Sequence, residues 1–181
     1  MNRILIGLVL SMILLAACGR REGGGISSGT GGWPPSSSSS SPIEVSSSAQ
    51  VVKVTTTPVE IAQNAFAEAI VKLSILPGYH VNANPATFSY LIATQVTPGK
   101  AEGIIAGKPT YPAAEKRKFQ FEEQPLTVYE GDVQIRLSLR ADSKATAGPR
   151  FMPINVRVQA CDNEKCYPPA NLETTIPIEV K

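Results

Sequence analysis

Reactive side chains concentrate at one place in this 181-residue sequence, where two cysteines stand with four residues between them. They lie in Val158-Gln159-Ala160-Cys161-Asp162-Asn163-Glu164-Lys165-Cys166-Tyr167-Pro168-Pro169. Such a pair can exchange with a partner's disulfide, because one thiolate attacks and a second thiol releases the mixed intermediate. The residues between the cysteines are all polar and form an exposed, hairpin-like loop in this reading. A loop of that length can bring two Cα atoms within the roughly 4.4–6.8 Å a disulfide needs. Closing it restricts the unfolded chain by only about 2 kcal/mol. A bond of so little structural value suits repeated opening, and it equally suits a local clasp; spacing alone leaves both open. The sole histidine, His80, could join the two thiolates on a metal, but the spacing is not that of a zinc knuckle and a fourth ligand is not visible. No metal and no cofactor are therefore expected. Pro168 and Pro169 remove two N–H donors just after Cys166, so this arm cannot continue a central ladder and stays at an edge. Beside Cys166, Lys165 favours a thiolate, while Asp162 and Glu164 oppose it.

The elements that must hold this pair read as strands. Val133, Ile135, Leu137, Leu139 and Ala141 alternate with Gln134, Arg136, Ser138 and Arg140, the period of two of a half-buried strand. Ala67 to Ile75 and Ile154 to Ala160 alternate in the same way, and Ile176, Ile178 and Val180 close the chain. Val51 to Thr56, Phe88 to Val96, a short run around Phe119 and Phe121, and Leu126 to Tyr129 are further strand candidates. Pro77-Gly78, Pro98-Gly99, Gly107-Lys108-Pro109 and Glu130-Gly131-Asp132 are turn signals between them. Val59 to Ala69 has some helical character, with Pro58 at its start. About eight short strands predict an all-β, immunoglobulin-like antiparallel sandwich. Val133, Ile135, Leu137 and Leu139 are expected to share one core with Val71, Leu73, Ile154, Val156 and Val158. Extending the parity of the Ile154 strand puts Cys161 on the side of Arg157 and Gln159, with its sulfur near solvent.

The beginning of the sequence has a different character. Residues 1–17 read as a lipoprotein signal peptide: Arg3, an apolar run from Ile4 to Leu15, then Leu15-Ala16-Ala17-Cys18 as a lipobox. With Cys18 acylated, Cys161 and Cys166 remain as the pair, in an oxidising compartment. Residues 18–50 read as a lipid-anchored, Gly/Ser/Pro-rich linker with a reach on the order of 30 Å, and residues 51–181 as the folded domain. The expected location is the bacterial cell envelope, facing the periplasm, with the outer membrane favoured because Gly19 follows Cys18. The formal net charge of +2 carries no basic stripe, which excludes an electrostatic case for nucleic acid.

Val158 to Pro169 resembles the active-site hairpin of the N-terminal periplasmic domain of the thiol:disulfide interchange protein DsbD, the disulfide-bond corrector family. Gly78-Tyr79-His80-Val81-Asn82 and Val128-Tyr129-Glu130-Gly131 resemble two further segments of that domain, and the likeness runs from about Phe66 to the C-terminus. The resemblance implies an immunoglobulin-like sandwich that carries electrons to periplasmic thiol proteins. It implies Cys166 as the cysteine that attacks the partner and Cys161 as the one that resolves. It further implies a cap loop with a phenylalanine, for which Phe119 or Phe121 is in about the right part of the chain. The family's acidic-aromatic cap sequence is not recognisable in Arg117-Lys118-Phe119-Gln120-Phe121. Tyr79, His80, Tyr167 and Pro168 are candidate lining residues. The sequence holds no second hydrophobic span and no Cys-x-x-Cys, so the expected partners are a separate membrane electron donor and periplasmic thiol-disulfide proteins. The alternative is a lipid-anchored, immunoglobulin-like interaction module with a structural loop disulfide.

Overall fold

A computed structural model describes residues 44–181. The signal peptide expected at residues 1–17, the lipid-bearing Cys18 and the linker as far as residue 43 lie outside the described residues. A short 3₁₀ turn, Ser48–Gln50, precedes twelve strands. They are β1 (Val52–Thr56), β2 (Val59–Ile61), β3 (Phe66–Ile75), β4 (His80–Asn82), β5 (Gln95–Pro98), β6 (Ile104–Thr110), β7 (Glu115–Arg117), β8 (Leu126–Tyr129), β9 (Asp132–Ala141), β10 (Gly148–Val158), β11 (Ala160–Cys161) and β12 (Ala170–Val180). Three four-stranded sheets result, in the orders β1-β3-β9-β6, β2-β12-β10-β5 and β11-β4-β8-β7. Pairing is antiparallel except between β2 and β12, which run parallel. The architecture is the expected all-β, immunoglobulin-like sandwich.

Alternation builds the core. Every second residue of β9 is buried, from Val133 to Ala141. β3 contributes Ala69, Val71, Leu73 and Ile75; β10 contributes Met152, Ile154, Val156 and Val158; β12 contributes Ile176, Ile178 and Val180, all in one cluster. The named core residues do share that cluster, but Val71 and Leu73 are ladder neighbours of Ile135 and Val133 in the same sheet. The residues across the sandwich from them come from β10 and β12.

Several local expectations are corrected. Phe88 to Val96 is not one strand: only Gln95–Pro98 pairs, with β10. Phe88 and Leu91 instead pack on a satellite cluster of Phe119, Leu126 and Val128, and that side-on packing takes the segment out of a ladder. Gly107-Lys108-Pro109 does not interrupt β6; a register shift between Ala106 and Pro109 absorbs it. β6 lies at the edge of its sheet, where a missing N–H is tolerated. Val59 to Ala69 is extended at both ends, β2 pairing with β12 and β3 with β1 and β9, around a turn at Asn64 with φ of 56°. Tertiary pairing outweighs local helical preference here. Ser46 to Gln50, read as the end of the linker, belongs to the folded unit. Its turn carries a capping box between Ser47 and Gln50, and Ser48 is wholly buried.

Candidate thiol–disulfide site

The site is built where β10 stops. Gln159 leaves the ladder after Val158, and Ala160–Cys161 restarts as a strand of a different sheet, paired with β4. This break resets the side-chain parity on which the exposed position of Cys161 was predicted. Val158, Ala160 and Cys161 are all fully buried. Cys161 is thus not near solvent, whereas Cys166 is half-buried. The two form a disulfide with Cα atoms 3.9 Å apart, nearer than the expected range, and they face each other as an antiparallel bridge. β11 is an outer strand of its sheet, so the first arm of the hairpin stands at a sheet edge. The arm with the two prolines does not stay at an edge but runs on into β12, an inner strand, because only Pro168 and Pro169 themselves lack the donor and pairing resumes at Ala170.

Asp162 shapes the turn. Its Oδ1 accepts the N–H groups of Glu164 and Lys165, each at 2.8 Å, and its own N–H donates to the Lys165 carbonyl at 2.9 Å. Its Oδ2 accepts the Tyr167 hydroxyl at 2.5 Å. Burial opposes ionisation of Asp162, but the Tyr167 hydroxyl and the two N–H donors outweigh it, and the carboxyl stays below the usual range. The same bond to Asp162 raises the Tyr167 phenol. Lys165 lies 5.4 Å from the Tyr167 ring centroid, and Tyr79 tilts against that ring at 5.9 Å. The charges flanking Cys166 are therefore partly engaged within the hairpin.

His80 is the direct cross-strand partner of Cys161. Opposed residues of an antiparallel pair point to the same face with Cβ atoms about 5 Å apart. The imidazole is 2% exposed and its Nε2 has no hydrogen-bond partner. Burial lowers its pKa to about 4, against a weaker opposing pull from Asp162. The ring is neutral at neutral pH and can offer only a hydrogen bond, not a charge. Gly78, at φ of 86°, makes the turn that feeds β4, a conformation glycine adopts without a Cβ clash.

Phe119 lies on His80, centroids 3.9 Å apart and planes within 18°, and Phe121 stacks on Phe119 at 5.5 Å. Neither is in a strand, contrary to the alternating run predicted for them; both sit in the loop between β7 and β8. Phe119 is buried and Phe121 exposed. The loop is fastened by Lys118, whose ammonium donates to the carbonyls of Glu122 and Glu123. A cleft of about 310 Å³ opens beside it, lined by Tyr79, His80, Lys118, Phe119 and Asn163 among others. The structure thus gathers Cys161, Cys166, Tyr79, His80, Phe119 and Tyr167 at one end of the sandwich. Pro168 is exposed, and only its carbonyl is engaged.

Ser48 was missed. Its hydroxyl donates to the Pro168 carbonyl at 2.8 Å and accepts the Ala160 N–H at 2.8 Å, joining both arms of the hairpin. The signal was present in the sequence as Ser47-x-x-Gln50 ahead of Val51 and Val52, a capping-box pattern inside a serine-rich stretch. Asn82 was also passed over. It is fully buried beside His80 on β4, donating to the Ile92 carbonyl at 3.1 Å.

Comparison with known proteins finds similar solved structures and one matching family. The solved N-terminal domain of DsbD from Neisseria meningitidis, in its reduced form, is 20% identical, with 63% of this chain and 79% of that one covered and a TM-score of 0.40. The complex between the DsbD and PilB N-terminal domains of the same organism gives 19% identity, 60% and 73% coverage and a TM-score of 0.37. The N-terminal periplasmic domain of ScsB from Proteus mirabilis gives 11% identity, 71% and 45% coverage and a TM-score of 0.43. No curated protein sequence matches. The family described as "Thiol:disulfide interchange protein DsbD, N-terminal" matches residues 48–177, from Ser48 through β4 and both cysteines, and the chain belongs to that family.

Proposed function

We propose that this protein relays electrons by thiol–disulfide exchange at Cys161 and Cys166, between a membrane thiol carrier and envelope thiol proteins. Family membership and a formed disulfide in the edge hairpin support exchange as the general chemistry. The observation that carries the reading is the asymmetry of the pair: Cys161 wholly buried against His80, Cys166 half-buried on the arm that leads to the prolines. The reducing equivalents enter from a carrier dithiol, one thiolate of which attacks the Cys161–Cys166 bond to form a mixed disulfide. The carrier's second thiol resolves it, leaving the carrier as a disulfide, and the equivalents leave when the Cys161/Cys166 dithiol reduces a partner disulfide. In that second step Cys166 attacks, a mixed disulfide forms, and the first partner thiolate departs. Cys161 then attacks the Cys166 sulfur, the intramolecular bond closes, and the second partner thiolate departs; each leaving thiolate takes up a proton given up by a cysteine. Tyr79, His80, Phe119, Phe121, Tyr167 and Pro168 line this site, with the Phe119 loop as its cover. The partners are periplasmic thiol-disulfide proteins and a membrane electron donor.

Trapping tests the assignment. Cys161→Ala should hold partners as long-lived mixed disulfides through Cys166, seen as reducible bands of higher mass, and Cys166→Ala should hold few. Equal trapping by the two variants overturns the roles. A bond that resists reduction below about −300 mV in a controlled redox buffer turns the reading to a lipid-anchored interaction module with a structural clasp. We place the protein on the envelope membrane through Cys18, with residues 1–17 removed and the outer membrane favoured. Cys18→Ala should then move the protein from the membrane to the soluble fraction, and continued membrane fractionation at an unchanged mass after processing refutes the anchor.

A further inference from the structure

The hairpin has a built-in deficit. Pro168 and Pro169 carry no N–H, so between the Tyr167 N–H, which donates to the Ala160 carbonyl at 2.8 Å, and the Val158–Ala170 pair where the β10–β12 ladder begins, the second arm has no donor to offer the first. The Ala160 N–H would be left without a partner in a fully buried position, a costly state for an amide. Ser48 supplies what is missing. Its Oγ takes the Ala160 N–H at 2.8 Å and donates to the Pro168 carbonyl at 2.8 Å, and its own N–H donates to that carbonyl at 3.1 Å. Ser48 is itself wholly buried and held by the capped turn it opens.

We propose that Ser48 is a positioning residue for the exchange reaction, a clamp that keeps the arms of the cysteine hairpin at closing distance once the disulfide has opened. The role rests on the exchange function proposed above. In the oxidised protein the sulfur–sulfur bond holds the arms and the clamp is redundant. In the dithiol and in the mixed disulfide only hydrogen bonds hold them. Of these, the Asp162 bonds lie between the cysteines; outside them the Tyr167 N–H bonds the Ala160 carbonyl, the Ser48 bridge ties the stretch that the prolines leave without donors, and the β10–β12 ladder begins beyond it. Closing the ring from the mixed disulfide requires Cys161 Sγ to reach Cys166 Sγ. The rate of that step scales with the effective concentration of one sulfur at the other, which the clamp raises by restricting the arms. The bonding change is the one already written: the Cys161–Cys166 bond forms, the Cys166–partner bond breaks, and the partner leaves as thiolate.

The test equilibrates the protein with reduced and oxidised glutathione and reads three species: disulfide, dithiol and glutathione mixed disulfide. Ser48→Ala should shift the equilibrium three- to tenfold toward the dithiol, a tenfold shift being about 30 mV, and raise the trapped mixed disulfide by a similar factor. Gln50→Ala loosens the capped turn but leaves the hydroxyl, and should leave both ratios as in the unsubstituted protein. A Ser48→Ala equilibrium equal to that of the unsubstituted protein, or an equal shift from Gln50→Ala, overturns the clamp while leaving exchange intact. Failure of the unsubstituted protein to equilibrate overturns both. Amide exchange needs no variant: the Ala160 N–H should stay protected after reduction, and rapid exchange in the dithiol form refutes the clamp.

Discussion

His80 shows how much a single neighbour can mean. A buried imidazole with an unpaired Nε2 stays neutral, with its pKa lowered to about 4 by burial. The unfolded chain takes up this proton near pH 6.5, whereas the folded chain resists until about 4. Between those values the unfolded state binds more protons, so stability is lost as pH falls through the window and levels off below it. The loss is at most about 3 kcal/mol for a shift of this size. Urea unfolding at pH 7, 5.5 and 4.5 should show the decline, and His80→Phe should flatten it; a variant whose stability runs parallel to the parent's across the window removes His80 as the cause. Asp162 acts in the same sense, in a more acid window. Its carboxyl is held below the usual range, so its contribution is present above the unfolded value and fades only in stronger acid.

At the level of elements, the loop between β7 and β8 decides how closed the site is. Phe119 covers His80 directly, and the loop's own packing on Leu126 and Val128 holds it there. Truncating the ring should let water reach the imidazole and reduce the desolvation that lowers its pKa. In Phe119→Ala, a pH titration of the His80 ring signals by NMR should show the pKa moving up from about 4 toward 6.5. No change would mean that β4 and β11, not the loop, bury the ring. Other large apolar side chains, such as Phe66 and Phe151, lie exposed on outer sheet faces and take no part in this cover.

For the whole molecule, the disulfide is a minor structural bond. The core joins β3, β9, β10 and β12 over long sequence separations, and the bridge closes a loop between residues only five apart in sequence. Reduction should lower the unfolding free energy by about 2 kcal/mol and leave the far-ultraviolet circular dichroism unchanged. Unfolding on reduction would make the bond a structural requirement and argue against a working redox pair. The short 3₁₀ turn connects this end of the sandwich to the N-terminal segment. The residue that clamps the hairpin, Ser48, is thus also where residues 44–47 enter the fold.

The alternating apolar residues of Ala67 to Ile75, Val133 to Ala141 and Ile154 to Val158 determined by themselves that these segments are strands and which faces are buried, because a two-residue period admits one inward face. The composition of Val158 to Pro169 determined a polar hairpin whose second arm makes no ladder bond through Pro168 and Pro169, because proline cannot donate to a ladder. The resemblance of that segment already pointed to the family. Only the tertiary structure decided that Cys161 is buried, since the parity of a strand holds only while the strand lasts, and β10 ends at Val158. Only it decided that Phe119 leaves strand geometry to stack on His80, and that Ser48 crosses a separation of 112 residues to reach Ala160. Such contacts depend on where distant segments meet, and local periodicity carries no record of that.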